Sequence, residues 1–193
     1  MPYATLRNLK DYLMAGGQVP PTTDDALLAA MLTRAQAIIE AKTTRVFESR
    51  TETREYDMPP GRRLELDDDL LTVTTLTNGD GAVIASSEYY LWPLNYAPKR
   101  AITLRQGSAV SWQPGTNGDT ENVISVAGTW GFMAAADDDI VQITLRLATW
   151  LYRQKDSSQD LDRPLIGPGG TMIMPSKFPN DVAEILYLYT PRQ

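Results

Sequence analysis

Cysteine and histidine are both missing from this chain of 193 residues. Without cysteine there is no disulfide framework, no thiolate metal ligand and no thiol nucleophile. Without histidine the chain lacks the commonest general base near neutral pH and the commonest transition-metal ligand. No apolar run reaches the roughly 18 residues of a membrane-spanning helix, so no membrane partner is expected. The opening Met1-Pro2-Tyr3-Ala4-Thr5 lacks the charged-then-apolar order of a signal peptide, which fits synthesis in the cytoplasm. Basic residues are in deficit, 18 Lys and Arg against 24 Asp and Glu, for a net charge of −6. A protein that grips nucleic acid carries a basic face, so this balance counts against DNA gripping. An acidic wall past which DNA slides stays compatible with it. These absences point to a part that fits against other parts rather than to a catalyst.

What is present is a helix–sheet–helix order with 42% hydrophobic residues, enough for a core. Leu6, Leu9 and Leu13 recur at helical spacing behind a Thr5 N-cap, and Gly16-Gly17 ends that helix. Val19-Pro20-Pro21 is an extended linker. A long helix follows over 24–44, capped by Thr22 or Thr23, with Asp24 and Asp25 in its first turn and Leu28, Met31, Leu32, Ala35, Ile38 and Ile39 on one face. Residues 46–133 read as β. Thr51–Tyr56 is expected to be an exposed or edge strand. Leu64–Leu66 and Val73–Thr77 read as strands, and Asn78-Gly79-Asp80-Gly81 as a hairpin turn leading to Ala82-Val83-Ile84. Tyr89–Trp92, Ile102–Leu104 and Val123–Trp130 complete the set. Asp137-Asp138-Asp139 caps a second helix over 137–155, whose wide stripe from Ile140 to Tyr152 predicts burial on more than one side. Beyond it lie a polar stretch at 156–160, a hinge at Gly167-Pro168-Gly169-Gly170 and a last short helix, Asn180–Tyr189. The fold class is α+β: a helical bundle (1–45 and 134–156) with a β-rich insertion (46–133) and a hinged C-terminal arm (157–193).

No motif carries catalytic chemistry. The run Asp67-Asp68-Asp69 is read as a turn and Asp137–Asp139 as a helix cap, since neither has the spacing of a calcium loop with its distal Glu; no metal and no cofactor are expected. The glycine-rich segments lack the Gly-Lys-Ser/Thr ending of a phosphate loop. Trp112, Trp130 and Trp150 are expected in the core or at a subunit interface. Arg45, Arg50, Arg54, Arg62 and Arg63 form a basic concentration that pairs with an acidic neighbour in an assembly or makes a solvated face. Carboxylates are plentiful, but no spacing singles out the pair a glycosidase-type hydrolase needs.

Several segments, taken in order, resemble a known family. They are Tyr3-Ala4-Thr5-Leu6 with Leu9-Lys10-Asp11-Tyr12-Leu13, Asp24–Leu28 through Ala37–Ala41, Thr44-Arg45-Val46-Phe47-Glu48, Glu52–Asp57 and Leu70–Leu76. Gly128-Thr129-Trp130-Gly131-Phe132 and Ala148–Arg153 complete them. Over residues 3–155 the chain is similar to the head–tail connector (adaptor, or head-completion) proteins of tailed bacteriophages, which have counterparts in gene-transfer-agent particles. The β part is longer than in the all-helical members, and residues 156–193 have no counterpart. The resemblance implies a virion structural protein of the neck, made in the host bacterium's cytoplasm. It implies a homo-oligomeric, dodecameric ring beneath the portal that extends the DNA channel, without sequence-specific DNA contact, and receives the stopper or tail. The alternatives are a tail-completion or stopper protein of the same neck, and a carboxylate-dependent particle hydrolase.

By that resemblance the C-terminal segment reaches into the portal. Its candidate contact residues are Met172, Ile173 and Met174, which have the adaptability of methionine at contact surfaces, Phe178, and Val182, Ile185, Leu186, Tyr187, Leu188 and Tyr189 of the amphipathic last helix. The same helix can instead fold back onto its own bundle, and Met172–Met174 can be an ordinary strand. An arm of this kind predicts that a chain ending at Asp160 still folds.

Overall fold

The protein is described by a computed structural model covering residues 3–17, 19–154, 165–166, 172–173 and 178–190. The chain makes two compact units, one from residues 1–44 with 136–193 and one from residues 45–135.

The first unit is helical. Helix α1 (Leu6–Ala15) begins at Thr5, whose hydroxyl oxygen accepts the Asn8 N–H at 3.2 Å, and it buries Leu9 and Leu13. Thr22 and Thr23 do not cap the long helix as expected. They form a 3-10 turn with Asp24, and helix α2 (Asp25–Thr43) starts directly after it. The Asp24 carboxylate makes no capping bond and instead accepts the Tyr152 hydroxyl at 2.5 Å. Leu28, Leu32, Ala35 and Ile39 line the buried side of α2. Helix α3 (Asp138–Arg153) is capped by Asp137, which accepts the Ile140 N–H at 3.0 Å. Its buried stripe runs from Ile140 to Tyr152 and is wide because α1, α2 and the last helix, α4 (Asn180–Tyr189), all pack against it.

The second unit holds a five-stranded antiparallel sheet. Its strands are β1 (Arg50–Tyr56), β2 (Arg63–Thr77), β3 (Tyr89–Trp92), β4 (Lys99–Leu104) and β5 (Ile124–Trp130), in the order β1-β5-β2-β4-β3. β1 is an edge strand with alternating exposure, as its polar composition predicts. Leu64, Leu70, Leu76, Ile102, Leu104, Ile124, Val126 and Trp130 form the core on one face. Gly128 allows β5 to lie close to β2, since a Cβ there would sit 2.2 Å from the Thr72 carbonyl oxygen.

Two sequence expectations are corrected in this unit. Asp67–Asp69 is not a turn between two strands but the middle of the 15-residue β2. The register of β2 against β4 shifts between Glu65 and Leu70, and arginine side chains neutralise the three carboxylates there, so the charge does not break the strand. Asn78–Gly81 does turn the chain, with the Gly81 N–H bonded to the Asn78 carbonyl at 2.9 Å. The return leg, however, pairs through the single bridge between Thr77 and Val83 rather than as a full strand. The buried Asn78 side chain serves another segment, accepting the Gln113 N–H at 2.9 Å and donating to the Ser111 carbonyl at 2.9 Å.

In the C-terminal segment, β6 (Leu165–Ile166) pairs antiparallel with β7 (Met172–Ile173). Met174, the hinge glycines Gly167, Gly169 and Gly170, and the polar stretch at 156–160 lie outside the described residues.

Candidate functional site

Among the described residues, a polar constellation of arginines, carboxylates and a tyrosine lies on the sheet. Residues two apart in a strand face the same side, so Arg50, Glu52, Arg54 and Tyr56 of β1 share one face. Asp67 and Asp68 of β2 meet them there. The Arg54 guanidinium donates to Glu52 at 2.8 Å, Asp67 at 2.9 Å and Asp68 at 2.9 Å, while Arg50 reaches Asp68 at 2.5 Å. The Tyr56 hydroxyl donates to Asp67 at 2.6 Å. Beneath them the Trp130 ring lies 4.6 Å from the Arg54 guanidinium carbon and 6.3 Å from the Tyr56 ring centre, and its N–H donates to the Glu52 carbonyl at 3.1 Å. Burial alone raises Glu52 and Asp67, but it is outweighed. Hydrogen bonds and charge from Arg54 and Arg50 hold Glu52 below its ordinary range, and Tyr56 and Arg54 do the same for Asp67.

Deeper in this unit Asp69 sits between Arg45 and Arg100, with N–O distances of 3.5 Å to each. Arg45 also lies over the Phe132 ring at 4.3 Å. Desolvation dominates this pair: it pushes Asp69 up and Arg45 down, each toward its neutral form, against their mutual attraction. The basic concentration therefore pairs inside its own chain, through Arg45, Arg50 and Arg54. Arg62 donates to the carbonyls of Leu104, Ser108 and Val110. Arg63 bonds Glu65 and lies 4.6 Å over the Trp92 ring. With its carboxylates engaged by arginines, this face is a structural clamp between β1 and β2 and offers no free acid–base pair.

The C-terminal candidates separate by face. α4 lies on α2 and α3, running antiparallel to α3: Asp181 accepts from Arg146 at 2.7 Å near one end, and the Tyr189 hydroxyl donates to Asp137 at 2.9 Å near the other. The Arg146 hydrogen bond holds Asp181 below the usual carboxylate range, and burial with Asp137 raises Tyr189 to about 12. Val182 and Leu186 are buried in the bundle, and Ile185 is half-buried. Phe178 stands edge-on to Trp150 at 6.4 Å, with the Lys42 ammonium 4.8 Å from its ring centre. Tyr187 and Leu188 point outward, 79% and 77% exposed. Met172 and Ile173 belong to the β6–β7 ladder. A chain ending at Asp160 would lose Val182 and Leu186 from the helical core; burial of two such side chains is worth roughly 1.5–3 kcal/mol each, so a chain cut there is expected to fold with reduced stability.

Two further surfaces escaped the sequence reading. The β3–β4 loop carries outward Leu94 and Tyr96 between cis prolines at Pro93 and Pro98, with outward Trp92 at the end of β3 just before them. A groove of about 300 Å³ runs between α1 and the linker after it, lined by Leu6, Arg7, Lys10, Met14, Val19 and Pro20. The loop's signal was a short aromatic and apolar run bracketed by proline; the groove depends on where the linker folds and had none.

No protein-family model matches the chain, and no curated protein matches it. Solved structures do match. A chain of the neck of an empty gene transfer agent (GTA) particle, computed with C6 symmetry, aligns with a TM-score of 0.65 at 21% identity, covering 99% of this chain and 91% of that one. A chain of the native GTA neck computed with C12 symmetry gives 0.60 at 19% identity over 97% and 88%, and one from the native GTA virion gives 0.59 at 21% over 99% and 91%. The fold is thus an α+β fold shared with neck chains of gene transfer agents, over nearly the whole length of both.

Proposed function

We propose that the protein is a non-enzymatic structural component of a virion or GTA-like particle's neck. In this role it is a head–tail connector adaptor, forming a homo-oligomeric, dodecameric ring below the portal. The ring extends the DNA channel and provides the docking surface for a stopper or tail. The carrying observation is the fold likeness to GTA neck chains over 99% of this chain. The C12 and C6 symmetry of those necks supports a ring. The internal pairing of Asp67, Asp68 and Asp69 with arginines supports a scaffold over a hydrolase. DNA passes an acidic wall without sequence-specific contact, consistent with the net charge of −6.

Portal binding falls to the C-terminal segment, through the outward Tyr187 and Leu188 and the Met172–Ile173 strand, while Val182 and Leu186 stay with the bundle. Tyrosine suits that surface because its ring buries area while its hydroxyl finds a partner. The test is electron microscopy of the protein mixed with DNA-filled, tailless capsids from the same source. The expected result is a ring of density at the portal vertex. Binding to free tails with a bare portal would reassign the protein to the tail side of the joint.

A further inference from the structure

The two surfaces that neither fold nor portal accounts for have complementary chemistry. The β3–β4 tip is apolar and aromatic: Leu94 is 66% and Tyr96 75% exposed, with Trp92 beside them. It is also held in shape, because the Lys99 ammonium donates to the Pro93 carbonyl at 2.7 Å and the Leu94 carbonyl at 3.0 Å, and Arg63 covers one side of Trp92. A protrusion ordered before it binds loses little entropy on docking. The α1 groove has an apolar floor of Leu6, Met14, Val19 and Pro20 and a charged rim of Arg7, Lys10 and Asp11. Lys10 is tied to Asp25 at 2.5 Å. Arg7 is 91% exposed and only loosely held, 3.8 Å from Asp11. The rim therefore offers a guanidinium for an aromatic face and a carboxylate for a phenol.

We propose that the β3–β4 tip of one copy seats in the α1 groove of the next copy, with the Tyr96 ring against Arg7, its hydroxyl on Asp11 and Leu94 on the apolar floor. Tip and groove are different patches of one chain, so the contact is head-to-tail, the kind that closes a ring or continues as a filament. A single such contact falls below the area of a stable interface; many made together on a template hold by avidity. The assignment rests on the ring reading above and names the surfaces that make the ring.

The chain contains no cysteine, so each introduced thiol is unique. Asn95→Cys, which leaves Tyr96 in place on the same exposed tip, and Val19→Cys variants are mixed and oxidised, both at high concentration in free solution and after addition to DNA-filled, tailless capsids that are then imaged. The expected product is the heterodisulfide in excess over either homodisulfide, with its yield lowered about fivefold by Arg7→Glu. Absence of the heterodisulfide in both settings overturns the contact, as does a dominant Asn95→Cys homodisulfide or a disulfide-sized adduct to a different particle protein. A ring at the portal vertex without the heterodisulfide leaves the adaptor function standing and removes this contact. The heterodisulfide without a ring at the portal supports the contact and removes the adaptor function.

Discussion

Asp69 is the residue whose replacement most directly tests the logic of the charged sheet. Its side chain is 6% exposed and Arg45, its buried partner, is 9% exposed, while Arg100 on the other side is 38% exposed. Asp69→Ala leaves Arg45 buried without its counter-charge. Removing one member of a buried pair costs about 3–5 kcal/mol. The lower end is expected here, since Arg100 can turn to water and Arg45 keeps its contact with Phe132. In a unit the size of residues 45–135 each kcal/mol moves the midpoint by about 4–8 °C, so the melt should fall by roughly 12 °C or more. Replacing both partners together, Arg45→Met with Asp69→Leu, removes the desolvation cost with the attraction and should stay within about 1 kcal/mol of the parent. Thermal and urea unfolding followed by tryptophan fluorescence, with buried Trp130 as the reporter, is applied to Asp69→Ala and to Arg45→Met, Asp69→Leu and their double variant, which are the corners of one cycle. A single-variant cost under about 1 kcal/mol, or a double variant as damaged as the sum of the singles, would refute the account of an expensive pair held by mutual neutralisation.

The remaining predictions concern packing, the last helix and pH. Gly128→Ala drives a methyl to 2.2 Å from the Thr72 carbonyl oxygen and should cost roughly 3 kcal/mol; a melt within a degree of the parent would mean that β5 and β2 are not so close. Leu186→Ala should cost about 2–4 kcal/mol, whereas Tyr187→Ser and Leu188→Ser should stay within about 0.5 kcal/mol; equal effects by circular dichroism would show that α4 does not lie as described. Glu52, Asp67 and Asp181 have lowered pKa values in the folded state, so the unfolded chain binds more protons across that window. Their stabilisation is present above the ordinary carboxylate pKa of about 4 and is lost as pH falls through the lower folded values. Asp69, raised on folding, has the opposite sign and regains part of its cost on protonation. Denaturation midpoints between neutral and strongly acidic pH should therefore fall, and Asp67→Asn should flatten that fall; an unchanged slope would count against the Arg54–Asp67 pairing.

Much of the local structure was legible along the chain because short-range physics decides it. The Thr5 and Asp137 caps, the spacing of Leu28, Leu32, Ala35 and Ile39, and the polar alternation of the edge strand are each set by residues within a turn or two of one another. The α+β class follows from the order of those patterns. Local signals misled where a distant residue changed the local cost. Three consecutive aspartates read as a turn until Arg50, Arg54, Arg45 and Arg100 arrive from other segments to neutralise them within β2. Asn78–Gly81 turns the chain as its residues predict, but the return leg stops at the bridge between Thr77 and Val83, and the asparagine side chain goes to Ser111 and Gln113.

The sequence by itself determined where the helices and most of the strands lie, that the chain carries no thiol or imidazole chemistry, and that its last helix is amphipathic, because composition and periodicity are properties of neighbours in the chain. Only the tertiary structure decided that Val182 and Leu186 face the bundle while Tyr187 and Leu188 face out, that the arginine cluster pairs within its own chain, and that an apolar groove lies between α1 and the linker. Each of those depends on what stands opposite a side chain across space, and sequence spacing carries no information about that until the chain has folded.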